Sequence, residues 1–208
     1  TPVAQRCSRL QKRALLMQGP GKKICRILAS FVRRETGVAA VEFALVVPIM
    51  LSVYLGCTEA AALLTADRKV QSVAGAIGDL VARANKTLPE SQLDDYFDAA
   101  ASIMAPYDVS KLVQTVTAVS VSDEGEATVA WSARFENGVL SKVVPEYPED
   151  APYALPQEMI DIATGQTVIA AETRYSYRPL LGVVFKNELD LRRSALFMPR
   201  FGTTITLN

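Results

Sequence analysis

A single carboxylate lies inside a long apolar stretch of this sequence. Residues 38–57 read VAAVEFALVVPIMLSVYLGC, and Glu42 is the only charged residue among them. An acidic residue at the centre of a membrane helix costs about 2.5–3.5 kcal/mol, and less near an end of the helix. An ionisable residue kept in such a place is a candidate for function, because it usually has a partner there. The alternative without a function is that Glu42 snorkels towards the membrane surface.

The other residues that could do chemistry form no recognisable catalytic set. The sequence contains no histidine, which excludes Ser-His-Asp and Cys-His nucleophile systems and most zinc and haem sites. Its three cysteines are Cys7, Cys25 and Cys57. Acidic clusters occur at residues 94–98 and 123–126, and we interpret both as solvated surface, with weak calcium binding or glycosidase-type carboxylates as the alternative. We therefore predict that the chain is not an enzyme and binds no metal or cofactor.

The apolar stretch has the length of a membrane span, since a helix of about 20 residues crosses the hydrocarbon layer. The residues before it are rich in Lys and Arg, whereas Thr58–Ala66 contains neither. The positive-inside rule therefore predicts a cytoplasmic N-terminus and a C-terminal part on the other side of the membrane. The alternative is a buried core helix, which the change of charge at the start of the stretch disfavours.

The net charge of the chain is formally zero but changes sign along the sequence. Residues 1–36 contain nine basic residues and one acidic residue, and residues 37–208 contain 13 basic and 21 acidic residues. This division predicts a basic cytoplasmic leader at 1–37, a transmembrane helix at 38–58 and an extracytoplasmic domain at 59–208. We interpret the basic leader as an orientation and membrane-surface signal, so no nucleic-acid partner is expected.

Pro48 lies within the predicted span. A proline inside a helix removes one i→i−4 hydrogen bond, which predicts a kink at this position. A proline that the span simply tolerates is an equally good interpretation, because membrane helices accommodate this residue.

The residues around Gly37 carry a resemblance to a known family. The segment RRETGVAAVEFALVVP, residues 33–48, resembles the TadE/TadF-like pseudopilins of Tad (tight adherence, Flp-type) pilus systems. In that family a prepilin peptidase cuts after the Gly of a basic leader, which implies cleavage between Gly37 and Val38. Glu42 and Phe43 would then be the fifth and sixth mature residues, where the family has its assembly and peptidase-recognition positions.

The same resemblance extends to other parts of the sequence. Leu55, Gly56 and Glu59 fit the family pattern, and Tyr175–Pro179 and Met198–Arg200 are similar to the late strands of TadE-like proteins. The leader of 37 residues is long for this family. A start at Met17 would shorten it to 21 residues.

The resemblance implies how Glu42 would act. Cleavage would leave a positive amine on Val38, four residues before Glu42. In a filament, the amine of a neighbouring subunit could pair with Glu42 inside an apolar bundle. Pairing of Glu42 with the amine of its own chain is the alternative.

The function implied is that of a minor pilin, or pseudopilin, that initiates or primes assembly of an adhesive pilus. Major Tad pilins are very short and lack a globular head, whereas this chain has a long segment after the span. The implied partners are the inner membrane, the prepilin peptidase, other Tad pilins and pseudopilins, and the pilus assembly platform. The alternatives are an uncleaved single-pass membrane protein with a periplasmic binding module and a membrane-anchored hydrolase.

The segment after the span reads as a pilin-like α+β domain. Leu63, Val70, Ile77 and Ala84 recur every seven residues, which predicts one helix from Val38 to Ala84. Gly75 and Gly78 are interpreted as permitting close packing of this helix against the sheet, with a hinge as the less favoured alternative. A second helix is predicted over Pro89–Met104 and a short one over Gln157–Ala163.

Alternating residues then predict four strands in an antiparallel sheet with the helices on one face. The strands are expected at Val119–Ser122, Ala127–Ala133, Ile169–Tyr177 and Glu188–Met198. Ala127, Val129, Trp131 and Ala133 are expected to share one face of the sheet. The proline-rich residues 145–156 are expected to form an exposed loop, with partner binding through Tyr147 and Tyr153 as an alternative interpretation.

Overall fold

One long helix, α1 (Val38–Ala82), begins at the predicted membrane span. The computed structural model describes residues 37–179, 182, 184–201 and 204–208, so the predicted leader before Gly37 lies outside the described residues. The bounds predicted for this helix are confirmed to within two residues. Among the described residues, α1 is the one helix long and apolar enough to cross a membrane, and none of its apolar window is buried.

The chain divides into two units at residue 56, and the second unit, Gly56–Asn208, is an α+β domain. After α1 come β1 (Thr87–Leu88), α2 (Glu90–Ala101), β2 (Leu112–Val121), β3 (Ala127–Glu136), β4 (Val139–Ser141), α3 (Gln157–Ala163), β5 (Thr167–Tyr177), β6 (Leu189–Phe197) and β7 (Thr206–Leu207). Single 3₁₀ turns, Ser102–Met104 and Val109–Lys111, lie between α2 and β2.

The main sheet has five antiparallel strands in the order β4-β3-β2-β5-β6, so the prediction of four strands is wrong. The additional strand is β4, which pairs with the end of β3. Asn137 and Gly138 form the two-residue turn between them, with φ angles of 53° and 74°. Positive φ at both positions is typical of the hairpin turns that Asn-Gly favours. β4 itself has three residues, too few to show an alternating pattern.

The main hydrophobic core lies between one face of the sheet and helices α1 and α2. The apolar stripe predicted on α1 is confirmed in Val70 and Ile77, which are fully buried. On α2, Leu93 and Phe97 are fully buried too, and the Phe97 ring stacks on Phe135 of β3 with centroids 5.4 Å apart. Periodic apolar residues therefore identified the surfaces of both helices that meet the sheet.

A β-bulge in the pairing of β2 with β3 changes which residues of β3 share a face. Ala118 pairs with Trp131, but the next residue of β2, Val119, pairs with Val129. The extra residue on β3 reverses the alternation, so Trp131 packs in the main core while Ala127 packs in a second cluster. The prediction that Ala127, Val129, Trp131 and Ala133 share one face is wrong for this reason.

The second cluster covers the opposite face of the sheet. It joins Val119 and Val168 of the sheet to Ala163 of α3, and Tyr153 packs against it from the proline-rich segment. The prediction that all helices lie on one face is therefore wrong for α3. Residues 145–156 are also not a simple exposed loop, because Tyr147 and Tyr153 are only partly exposed and Pro152 forms a bridge with Thr128.

Gly78 lets α1 approach the sheet closely, whereas Gly75 faces open space. A Cβ at Gly78 would lie 2.5 Å from Cδ2 of Phe197 and 3.1 Å from Cβ of Ala171, while a Cβ at Gly75 would meet nothing within 4 Å. Close packing is therefore confirmed for Gly78 and wrong for Gly75.

These two glycines give a matched pair of substitutions. We expect Gly78→Ala to lower the free energy of unfolding by about 1–2 kcal/mol, because overpacking costs more than the helix gains from Ala. Gly75→Ala should instead raise it by up to about 1 kcal/mol. Urea unfolding of the detergent-solubilised chain, followed by Trp131 fluorescence, measures both. Equal effects of the two substitutions would contradict the packing described for Gly78.

Candidate functional site

The residues predicted to guide processing and assembly lie at the start of α1. Gly37 immediately precedes the helix, and Val38 and Glu42 are four residues apart within it, so they lie on the same side. Val38 is 56 % exposed and Phe43 is 69 % exposed, and Glu42 is exposed as well. A helix surface this apolar requires lipid or other helices around it. The segment therefore offers one carboxylate on an otherwise apolar exposed surface.

Helix α1 continues through Pro48 without interruption. The hydroxyl of Ser52, one turn later, donates a hydrogen bond of 2.8 Å to the Pro48 carbonyl. Such a bond back to the helix is typical of Ser in apolar helices and often accompanies a bend. The kink at Pro48 stays a prediction.

Glu59 lies just past the apolar stretch and is a buried carboxylate, only 4 % exposed. Its Oε2 atom accepts hydrogen bonds from the backbone N–H groups of Val184, at 2.7 Å, and Phe185, at 3.3 Å. A buried charge is tolerated when hydrogen bonds replace the water it loses. Glu59 therefore holds Val184 and Phe185, which lie between β5 and β6, against the first turn of α1 in the second unit.

Residues of the two motifs near the end of the sequence, Tyr175–Pro179 and Met198–Arg200, also make contacts within the second unit. The Arg200 guanidinium lies 2.6 Å from the Asp79 carboxylate of α1, and the backbone N–H of Arg200 donates to the backbone carbonyl of Ala82 at 2.8 Å. Tyr175 and Tyr177 are buried and pack with their rings edge-on to the Tyr107 ring. These residues stabilise the domain and do not form a reactive site.

A polar cluster on the outer face of the sheet centres on Glu172 of β5. Glu172 is 6 % exposed, and its Oε1 accepts hydrogen bonds from the hydroxyls of Tyr147, at 2.6 Å, and Tyr153, at 3.2 Å. Its Oε2 lies 2.6 Å from Nη2 of Arg192 on the neighbouring strand β6. We call Glu172, Arg192, Tyr147 and Tyr153 the Glu172 cluster. It holds the proline-rich segment 145–156 against the sheet.

Electrostatics in the Glu172 cluster keep the two tyrosines as donors. Burial, followed by the nearby Glu172 carboxylate, raises the pKa of Tyr153 and of Tyr147 above the usual value. Hydrogen bonding to Glu172 raises the pKa of Arg192. At neutral pH both hydroxyls are therefore protonated and Arg192 is charged. All three side chains can then donate hydrogen bonds to Glu172.

Sequence patterns did not identify the Glu172 cluster as a site. They placed Glu172 within a predicted strand but gave it no partner, because Tyr147 and Arg192 lie 25 and 20 residues away in the chain. The available signal was a glutamate within a strand whose first seven residues are buried. A charge in such a strand requires a hydrogen-bonded partner.

The acidic clusters at 94–98 and 123–126 lie on a helix surface and in a turn. Asp95 and Asp98 are exposed on α2, and residues 122–126 form the turn between β2 and β3. In the part of the chain that the structure describes, no group of three or more His, Cys, Asp or Glu residues could hold a metal ion.

Comparison with known protein families relates the start of the described chain to a family model. Residues 37–77 match the family model described as TadE-like protein. The match begins at Gly37 and includes Val38, Glu42, Phe43 and Pro48, which confirms the family resemblance over the segment from which it was predicted. No curated protein and no solved structure matches the chain significantly.

Proposed function

We propose that this chain is a minor pilin, or pseudopilin, of a Tad-type pilus, and that it is cleaved between Gly37 and Val38 before it acts in the initiation or priming of assembly. The match of residues 37–77 to the TadE-like family supports a role in such a system. The second unit supports a minor role, because a domain of this size would not fit the short major pilins.

One observation carries the proposal: the exposed apolar surface of α1 contains the single carboxylate of Glu42. Phe43, Leu45 and Ile49 are each more than 65 % exposed around it. In a bundle of such helices, a new amine on Val38 of one subunit would pair with Glu42 of its neighbour. Both charges would be desolvated, so an unpaired Glu42 would be costly and pairing would select the correct register.

The proposed location is the bacterial inner membrane, crossed once, with the N-terminus in the cytoplasm and the second unit in the periplasm. The basic residues before the span support this orientation. The prepilin peptidase would act at the membrane near Gly37. The other partners would be Tad pilins and pseudopilins and the assembly platform, which would contact the apolar part of α1.

Deleting the chain from its host tests this function. We expect the deletion strain to lose nearly all surface pili while the other pilins remain in the membrane, because assembly would lack a component that starts it. Electron microscopy and the pilin content of sheared fractions measure the loss, and re-expression of the native chain should restore it. A deletion strain with the normal number of pili would favour an uncleaved membrane protein with a periplasmic binding module.

A further inference from the structure

The segment that follows β5 returns to α1 at the end of the apolar stretch. The two hydrogen bonds to Glu59 hold the backbone of Val184 and Phe185 there. A Cβ at Gly56 would lie 3.4 Å from Cγ2 of Val184, which places this side chain in contact distance of the helix. Gly56 belongs to the apolar stretch, which ends at Cys57. Val184 therefore lies beside the last turn of the predicted membrane span.

The exposure and charge of this segment match those of a membrane surface contact. Val184 is 54 % exposed although it is apolar, and residues 179–185 include no charged residue. The exposed cations Arg178 and Lys186 flank this apolar part. Neither lies within 4.0 Å of a described carboxylate, although Arg178 is close enough to Glu188 to help lower the pKa of that carboxyl, after the larger effect of Lys111. Apolar residues between cations suit the boundary between lipid headgroups and acyl chains.

We propose that Val184 and Phe185, with Arg178 and Lys186 on either side of them in the sequence, form a second membrane contact beside the span, and we call these four residues the Val184 loop. Val184 would enter the headgroup region of the periplasmic leaflet, about 5–10 Å into the boundary with the acyl chains, while Arg178 and Lys186 bind lipid phosphates. The proposal rests on the membrane span of the proposed function. Glu59 would be the positioning residue, because its carboxylate holds the loop at the level where the apolar stretch ends.

Fluorescence quenching by lipids tests this contact in the full chain. The native cysteines are replaced by Ser, and one Cys that carries the fluorophore NBD is placed at Val184, at Val143 or at Met50. Val143 is the matched control, because it is also an exposed valine, 79 % exposed. It follows β4, which lies at the opposite edge of the sheet from β6. Met50 reports the span itself. The chain is reconstituted at low density in vesicles of phosphatidylethanolamine and phosphatidylglycerol. These vesicles contain lipids with a nitroxide near the headgroup or, for the label at 50, on the acyl chain near the bilayer centre.

We expect nitroxide lipids to quench the label at 184 several times more strongly than the label at 143, and aqueous iodide to quench it several times less. Equal lipid quenching at 184 and 143, with strong quenching at 50, would overturn the loop contact and leave the span intact. Absence of quenching at 50 would overturn the span and the loop contact together. A label at 184 that is shielded from iodide but not quenched by lipid would show a protein cover and would also overturn the proposal.

Discussion

Cells that carry Glu42→Ala in place of the native chain are expected to assemble few or no surface pili, although the variant still enters the membrane. Removal of the carboxylate makes the span more apolar, so insertion becomes easier by up to about 2.5–3.5 kcal/mol. What is lost is the partner for the amine of Val38 on a neighbouring subunit. Immunoblots of membrane and sheared-pilus fractions separate these two effects.

Leu45→Ala is the matched control for Glu42→Ala. Leu45 lies less than one turn further along α1 and is 68 % exposed, so its truncation also alters the apolar surface of the helix. We expect this variant to assemble pili nearly as well as the native chain, because no charge pair is affected. If Glu42→Ala were cleaved and assembled like Leu45→Ala, pairing between Glu42 and an amine would be excluded.

Glu172→Ala is expected to have the largest effect on the stability of the second unit. The substitution removes the acceptor for the hydroxyls of Tyr147 and Tyr153 and the ion-pair partner of Arg192. Leaving partly buried donors without a partner should lower the free energy of unfolding by about 2–4 kcal/mol. The lower part of this range is favoured because the Arg192 side chain is 54 % exposed and regains water. Urea unfolding of the detergent-solubilised chain measures the difference.

Glu188→Ala provides the comparison for Glu172→Ala. Glu188 also pairs with a cation, Lys111, at 2.8 Å, but its side chain is 51 % exposed. An exposed ion pair of this kind contributes at most about 1 kcal/mol. Protease protection of residues 145–156 should fall in Glu172→Ala and persist in Glu188→Ala. Equal losses of stability in the two variants would show that the Glu172 cluster does not hold the proline-rich segment.

Three glutamates of this chain show how environment assigns different roles to one residue type. Glu42 is exposed on an apolar helix and has a proposed partner in another subunit. Glu59 is buried and accepts backbone hydrogen bonds within the domain. Glu172 is buried under two tyrosines and an arginine. The proposed function gives the first a role in assembly, and the other two stabilise the domain.

Much of the fold could be predicted because apolar periodicity is a local property of the sequence. The bounds of α1, the buried face of α2 and the extent of β5 to within two residues follow from which residues must leave water. The candidate site on α1 could also be proposed from the sequence, because Glu42 is the one charged residue in an apolar stretch and the residues around Gly37 match a family pattern.

Features that depend on contacts distant in the sequence were missed. The bulge between β2 and β3 becomes visible only when Val119 is paired with Val129 and Ala118 with Trp131. The position of α3 depends on an apolar cluster on the outer face of the sheet, which adjacent residues do not reveal. The strand β4 was missed although it does not depend on distant contacts, because the Asn137-Gly138 turn is a local signal for a hairpin.

The N-terminal residue of the chain recovered from membranes and from sheared pili tests the central claim most directly. We expect Edman sequencing or mass spectrometry to find Val38 first, with Glu42 as the fifth residue, and to find the uncleaved form in a strain that lacks the peptidase. Chains that retain residues before Gly37 in a strain with active peptidase and normal pili would contradict the claim.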